Sequence, residues 1–325
     1  MSSASIPHSS SPPAPAESPA AVPRLSRRQR ARRALLRLVR IVVIVYLSLC
    51  LLTFLCQDWL VFPAHAYQGT PQARIPAERD NEQLELMTSH GDRVAALFGS
   101  ALLPDGSPDP EANHRPTIIY FYGNGGAIAW SMGEFDRFRR LGANVLLPDL
   151  VGFGMSGGKP SEANLYATAD ACYDYLLHRH AIDAQKIVPV GWSLGGAIAI
   201  DLASRRPAAG VATFNAFTSM PEMAHLMLPW LPAGTLCKYD FDNEQKIASI
   251  HAPVFICNGL RDTLVPPMMS DRLAKAAGGR VTRLTIDTAD HNTIFIAKPK
   301  DLFDAMQKFI DDVAGNPSGS HESGH

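Results

Sequence analysis

From about residue 83 to residue 313, short apolar runs alternate with longer mixed stretches. Residues 83–88 and 93–102 alternate apolar and polar positions, which predicts two strands in an antiparallel start. The pattern then predicts strand 117–121, helix about 127–141, strand 144–148, helix about 162–179, strand 187–191, helix 194–205 and strand 210–214. An insertion, about 216–247, is followed by strand 253–258, helix about 267–277, strand 281–286 and helix about 299–313. Strands alternating with helices imply an α/β, doubly wound, mostly parallel sheet, with its site at the carboxyl ends of the strands. No internal repeat is visible.

The candidate chemistry falls at those strand ends. Gly191-Trp192-Ser193-Leu194-Gly195 follows the apolar run Ile187–Val190 and opens into a helix-forming stretch. A strand feeding a G-x-S-x-G turn that feeds a helix is the layout of a nucleophile elbow, which makes Ser193 the candidate nucleophile. Glycines stand where larger neighbours would clash. The strand-before, helix-after context argues against a chance match. Such a site needs an acid and a histidine later in the chain, in that order. Asp262 follows the strand over 253–258, and His291 follows the strand over 281–286. An imidazole takes the serine proton, and the carboxylate fixes its tautomer. Asp290 is a rival acid, but side chains adjacent along an extended loop diverge. No other histidine of the region to be folded follows a late strand; His225 could lie over the site. For the oxyanion, the backbone N–H groups of Leu194 and Asn124 are the expected donors, the latter from the loop Tyr122-Gly123-Asn124-Gly125-Gly126 after strand 117–121.

Gly152-Phe153-Gly154-Met155-Ser156-Gly157 fits G-x-G-x-x-G, but Gly158-Lys159-Pro160 follows where a dinucleotide site needs a helix. The same segment lacks the spacing and the Ser or Thr of a P-loop.

These residues resemble the α/β-hydrolase superfamily and, within it, the Bem46-like group of membrane-anchored hydrolases that includes the mammalian alpha/beta hydrolase domain-containing proteins 12, 13 and 17. The resemblance runs from Gln57-Asp58-Trp59-Leu60-Val61-Phe62-Pro63 through the 122–126 loop, the 149–157 segment and the elbow. It continues through Phe217–Ala224, the Asp262 segment and His291-Asn292, and covers roughly residues 57–312. It implies an α/β-hydrolase fold with a short lid over 216–247, a serine hydrolase activity on esters or thioesters, and no cofactor. That group usually carries His where this chain has Tyr122 and Asn258.

Outside the alternating region, residues 1–23 are nearly all Ser, Pro and Ala and are expected to be disordered, as is the tail 314–325. Residues 24–40 carry eight arginines and no acid, and residues 41–56 carry no charge. That run covers roughly 24 Å of a bilayer core of roughly 30 Å. Residues 34–38 extend it because Arg37 and Arg40 can snorkel, and Trp59 suits the far interface. One transmembrane anchor is expected over 41–60, with a cytoplasmic N-terminus and a hydrolase domain, 61–313, on the non-cytoplasmic (periplasmic or lumenal) side. Ala64-His65-Ala66 fits a signal-peptidase site, but Trp59–Phe62 separates it from the apolar run and matches sequence that the family retains.

The net charge of −1 gives no bulk argument for nucleic acid. Five cysteines show neither metal spacing nor a disulfide framework. The expected partners are a small-molecule or lipid-like acyl substrate and the bilayer, with no metal. Met220, Met223, Met227 and Trp230 of the insertion are the expected substrate-binding residues, since methionines adapt to flexible apolar ligands. A serine peptidase on the same fold and a silent scaffold are the competing classes.

Overall fold

The computed structural model describes residues 26–75, 81–179 and 182–315. The predicted disordered stretch 1–23 and residues 316–325 of the tail lie outside the described residues. The chain divides into two units, 1–49 and 50–325. Helix α1 (Arg27–Leu55) is long and apolar enough to cross a membrane. It ends at Leu55, short of the expected boundary at residue 60. The physical reason is polar: Gln57 and Asp58 open a separate helix, α2 (Gln57–Val61), and both bond to the folded unit.

Among the described residues of the second unit, eight strands form one sheet in the order β1-β2-β4-β3-β5-β6-β7-β8. They are β1 (Asn81–Met87), β2 (Arg93–Gly99), β3 (Thr117–Phe121), β4 (Asn144–Pro148), β5 (Ile187–Trp192), β6 (Val211–Phe214), β7 (Val254–Gly259) and β8 (Val281–Ile286). β2 pairs antiparallel with β1 and β4, and every later pairing is parallel. The helices are α3 (Met132–Arg140), α4 (Glu162–His178), α5 (Leu194–Arg205), α6 (Met220–Met227), α7 (Ala233–Leu236), α8 (Asn243–Ala248), α9 (Pro267–Ala276) and α10 (Pro299–Val313). β3, β4, β6 and β7 are buried along their whole length, as expected of parallel strands covered on both faces, and their sequences are near-continuous apolar runs. The edge strand β1 instead alternates and carries Glu82 and Glu85, which blunts the edge. This is the α/β-hydrolase fold, with a mostly parallel sheet.

The topology fixes where a site can form. From β3 the chain moves through α3 to β4 on one side; from β5 it moves through α5 to β6 on the other. The strand order therefore reverses between β3 and β5, and the loops leaving their carboxyl ends part there, opening a crevice. Those two loops hold Asn124 and Ser193.

Candidate active site

The turn after β5 forces Ser193 into an unusual backbone. Its φ is 55° and its ψ −117°, a region that non-glycine residues rarely occupy and that costs of order 1–3 kcal/mol. The neighbours explain how it is held. A Cβ on Gly191 would stand 2.0 Å from the Gly195 carbonyl oxygen, and one on Gly195 would stand 1.9 Å from that of Phe121. Only glycines allow the turn to close this tightly. The Ser193 N–H donates to the Phe214 carbonyl at 2.9 Å, tying the turn to β6.

Three side chains predicted from widely separated loops meet here. His291 Nε2 lies 3.0 Å from Ser193 Oγ, and His291 Nδ1 lies 2.7 Å from Asp262 Oδ2. Ser193, Asp262 and His291 are 8%, 4% and 7% exposed, so their mutual bonds face little competition from water. A carboxylate can only accept, so Nδ1 carries the proton and Nε2 is left to accept from the serine hydroxyl. Asp262 is itself positioned: its Oδ1 accepts from the N–H groups of Leu264 and Val265 at 2.9 and 2.8 Å. The rival Asp290 is turned away into its own loop. Its carboxylate accepts from the Thr293 hydroxyl and from the N–H groups of Thr293 and Asn292. Those bonds, the Thr293 hydroxyl foremost, hold it below the ordinary aspartate range.

Leu194, as the first residue of α5, has an N–H with no acceptor inside its helix. Among the described residues, neither that N–H nor the Asn124 N–H donates to a protein backbone acceptor. Both residues line a cavity with Ser193. The loop of Asn124 is close: a Cβ on Gly123 would lie 3.4 Å from the Ser193 Cβ.

Two cavities flank Ser193. The first, about 250 Å³, is lined by Phe217, Met220, Met223, Met227 and Leu228 of the insertion. Its other wall is Thr53, Gln57, Leu60 and Val61. The second, about 330 Å³, is lined by Trp130, Glu134, Trp192, His291 and Asn292. Of the four expected substrate-binding residues, the three methionines line the first cavity and Trp230 does not. The turn in which the Leu231 N–H donates to the Leu228 carbonyl carries Trp230 outward and leaves it 58% exposed. His225 lines neither cavity.

Sequence reasoning missed two positioning residues. Asn215, just past β6, has a φ of 48°. Its Nδ2 donates to the carbonyls of His291 and Asp290 at 3.1 and 3.3 Å, and its Oδ1 accepts from the Gly259 N–H at 2.9 Å. One amide thus ties the loops carrying Asp262 and His291. An asparagine, a residue type that tolerates the left-handed conformation, directly after a short apolar strand was the signal available.

Asp149 is the second. Buried at the end of β4, its Oδ1 accepts from the Tyr122 hydroxyl at 2.9 Å and the Ile128 N–H at 2.8 Å, and its Oδ2 from the Met155 N–H at 2.7 Å. It joins the Asn124 loop to the 150–157 loop, and Tyr122 is thereby engaged as a donor. The Gly152–Gly157 segment wraps this carboxylate and opens into no helix until α4, as its sequence implied.

A family model described as the alpha/beta hydrolase fold matches residues 116–234. An uncharacterized protein of Mycobacterium tuberculosis is 29% identical over 255 residues, covering 78% of this chain and 87% of that protein. Alpha/beta hydrolase domain-containing protein 17B of Xenopus tropicalis is 30% identical over 226 residues, covering 67% of this chain and 73% of that protein. Among solved structures, an esterase of Pyrococcus furiosus shares the fold with a TM-score of 0.61 at 16% identity, covering 74% of this chain and 96% of that one.

The buried Asp149 carboxyl is pushed up from 3.8 to about 6 by burial, with its three donors pulling the other way. An acid whose folded pKa is raised keeps its proton in the folded state where the unfolded chain has lost it. Stability therefore falls as pH rises through about 6. Between about pH 5 and about pH 7.5 the parent protein should lose on the order of 1 kcal/mol more unfolding free energy than Asp149→Asn, which cannot ionise. Urea unfolding of both at the two pH values checks this; equal pH dependence would show that Asp149 does not titrate there.

Proposed function

The chain belongs to the α/β-hydrolase family, and from that membership we propose that it is a membrane-anchored serine hydrolase cleaving a carboxylic ester or thioester through an acyl-enzyme. The observation that carries the reading is the relay Asp262–His291–Ser193, with contacts of 2.7 and 3.0 Å around a serine held at a φ of 55°. Ser193 Oγ attacks the acyl carbonyl while His291 Nε2 takes its proton. The Leu194 and Asn124 N–H groups stabilise the oxyanion. His291 then returns the proton to the leaving group, and water attacks the acyl-enzyme by the same route in reverse. No step calls on a metal or an organic cofactor.

The acyl group belongs in the methionine-lined cavity. The leaving group must lie within reach of the proton on His291, and His291 lines the other cavity. The apolar lining favours long, lipid-like acyl chains. Helix α1, with arginines at its N-terminal end, supports an anchor retained in the mature protein with its N-terminus in the cytoplasm. Cleavage at Ala64-His65-Ala66 would remove Phe62, which is fully buried in the core, and Gln57 with it.

Ser193→Ala should abolish labelling by a fluorophosphonate probe. Asp262→Asn should slow ester turnover by about 10⁴, by analogy with other triads, whereas Asp290→Asn should change it little. Persistent labelling of the alanine variant, or a reversed ranking of the two aspartates, refutes these assignments.

On p-nitrophenyl esters, kcat/KM should rise from acetyl towards medium and longer chains, because each covered methylene is worth about 0.8 kcal/mol. Met227→Asp should flatten that rise, and Trp230→Asp, outside the lining, should not. A steady fall from acetyl upward would indicate a small acyl pocket instead.

A reporter active only outside the cytoplasm, fused after Pro63, should be active. Neutralising the arginines between residues 24 and 40 should scramble that result; an inactive reporter on the natural sequence would reverse the topology.

A further inference from the structure

The second cavity beside Ser193 has a chemistry of its own. Its floor is His291 and Trp192, whose ring centroids lie 5.6 Å apart. Trp192 is fixed there because its indole N–H donates to the His291 carbonyl at 3.2 Å. Trp130, 45% exposed, stands on the rim against Tyr67 at 5.4 Å. Glu134, in the first turn of α3, lines the same cavity.

Glu134 is half-buried, and among the described residues its carboxylate has no hydrogen-bond or ion-pair partner. The nearest cation along its own helix is spoken for: the Arg137 guanidinium donates to the Phe295 carbonyl at 2.9 Å and lies over the Phe303 ring. Lys298 pairs with Asp287, and Lys300 pairs with Asp304. No lysine or arginine lines the cavity. A carboxylate without an ion-pair partner, in a cavity that two indoles and the Tyr120 ring also line and that holds no competing cation, is a setting that attracts an ammonium ion. The carboxylate supplies the charge, and the indole faces supply cation–π contact.

We propose that this cavity is a leaving-group subsite selective for alcohols that carry an ammonium group, with Glu134 as the residue that sets the preference. The proposal rests on the serine hydrolase reading, since it needs the leaving oxygen beside His291. In that step Ser193 Oγ bonds to the acyl carbon, the acyl carbon–alcohol oxygen bond breaks, and the His291 Nε2 proton passes to the departing oxygen. The ammonium takes no part in the chemistry. Its binding places the departing oxygen under the imidazole, so the effect appears in kcat/KM for charged against neutral leaving groups.

The test uses the full-length protein in detergent and two acyl esters of the same chain length, one of choline and one of 3,3-dimethylbutanol. These alcohols have nearly the same shape and differ by one charge. The ratio of kcat/KM, choline to neutral, should be about ten, the worth of one partly exposed carboxylate with an aromatic face. In Glu134→Gln the ratio should fall to about one, in Glu134→Asp it should be partly retained, and in Glu134→Lys it should drop below one. Fluorophosphonate labelling of each variant confirms that the fold and the nucleophile are intact. A ratio near one in the parent protein, or a ratio unmoved by Glu134→Gln, overturns the subsite. Failure of both esters to turn over while labelling persists would also overturn it. Absence of labelling in the parent would instead overturn the serine hydrolase reading beneath it.

Discussion

The backbone of Ser193 is the constraint on which the site depends. A serine at a φ of 55° is unfavourable in isolation, and it persists here because the contacts around it leave no other path. Gly191 and Gly195 remove the atoms that would collide, and Gly196 lets α5 lie close to Ala216. From Leu194 to Leu202 that helix is buried throughout, so it cannot swing to relieve the strain. The cost at one residue is offset by the packing of a whole helix against the sheet. In return the hydroxyl projects into the crevice between the two directions of winding, with a helix N-terminus beside it.

The same economy of contacts holds the partners. Asp262 and His291 come from loops after different strands, and loops are the parts of a fold freest to drift. Asn215 ties both loops together through two acceptors and one donor, and the backbone amides of Leu264 and Val265 fix the carboxylate. Asp149 does the corresponding work on the opposite side, where its oxygens gather the hydroxyl of Tyr122 and two backbone amides. A buried carboxylate without a cation is expensive, and its raised pKa records that expense. Its position between two loops is what the expense secures.

Much of this was legible in the sequence, for identifiable reasons. The central strands are continuous apolar runs because both faces are covered, so their limits fall within a residue or two of the apolar pattern. Ser193 was legible because its turn admits so few residue types, and Asp262 and His291 because the topology dictates their order. Asn215 and Asp149 were not, because each acts through contacts between segments far apart in the chain. Asn215 reaches a carbonyl 76 residues away. Trp230 misled because composition says a segment is apolar, whereas one turn decides which of its side chains face inward. The end of α1 misled for a related reason: an apolar stretch suggests a span, but the polar groups that follow it decide where the helix gives way.

Those polar groups also bear on the methionine-lined cavity beside Ser193. Gln57 donates to the Leu236 carbonyl at 2.8 Å and accepts from the Lys238 N–H at 2.7 Å, across 179 and 181 residues of chain. The Tyr239 hydroxyl donates to Asp58 at 2.7 Å. A glutamine 6% exposed would leave costly unpaired groups without those partners. With them it becomes a clamp between α2 and the insertion. The insertion is also held within itself, the Met220 N–H donating to the Asp240 carbonyl at 2.9 Å, and the clamp joins it to the helix that carries Leu60 and Val61. One wall of the cavity beside Ser193 is thus supplied by the segment that follows the apolar helix, and the bonds that hold that wall to the insertion lie outside the sheet that carries the serine.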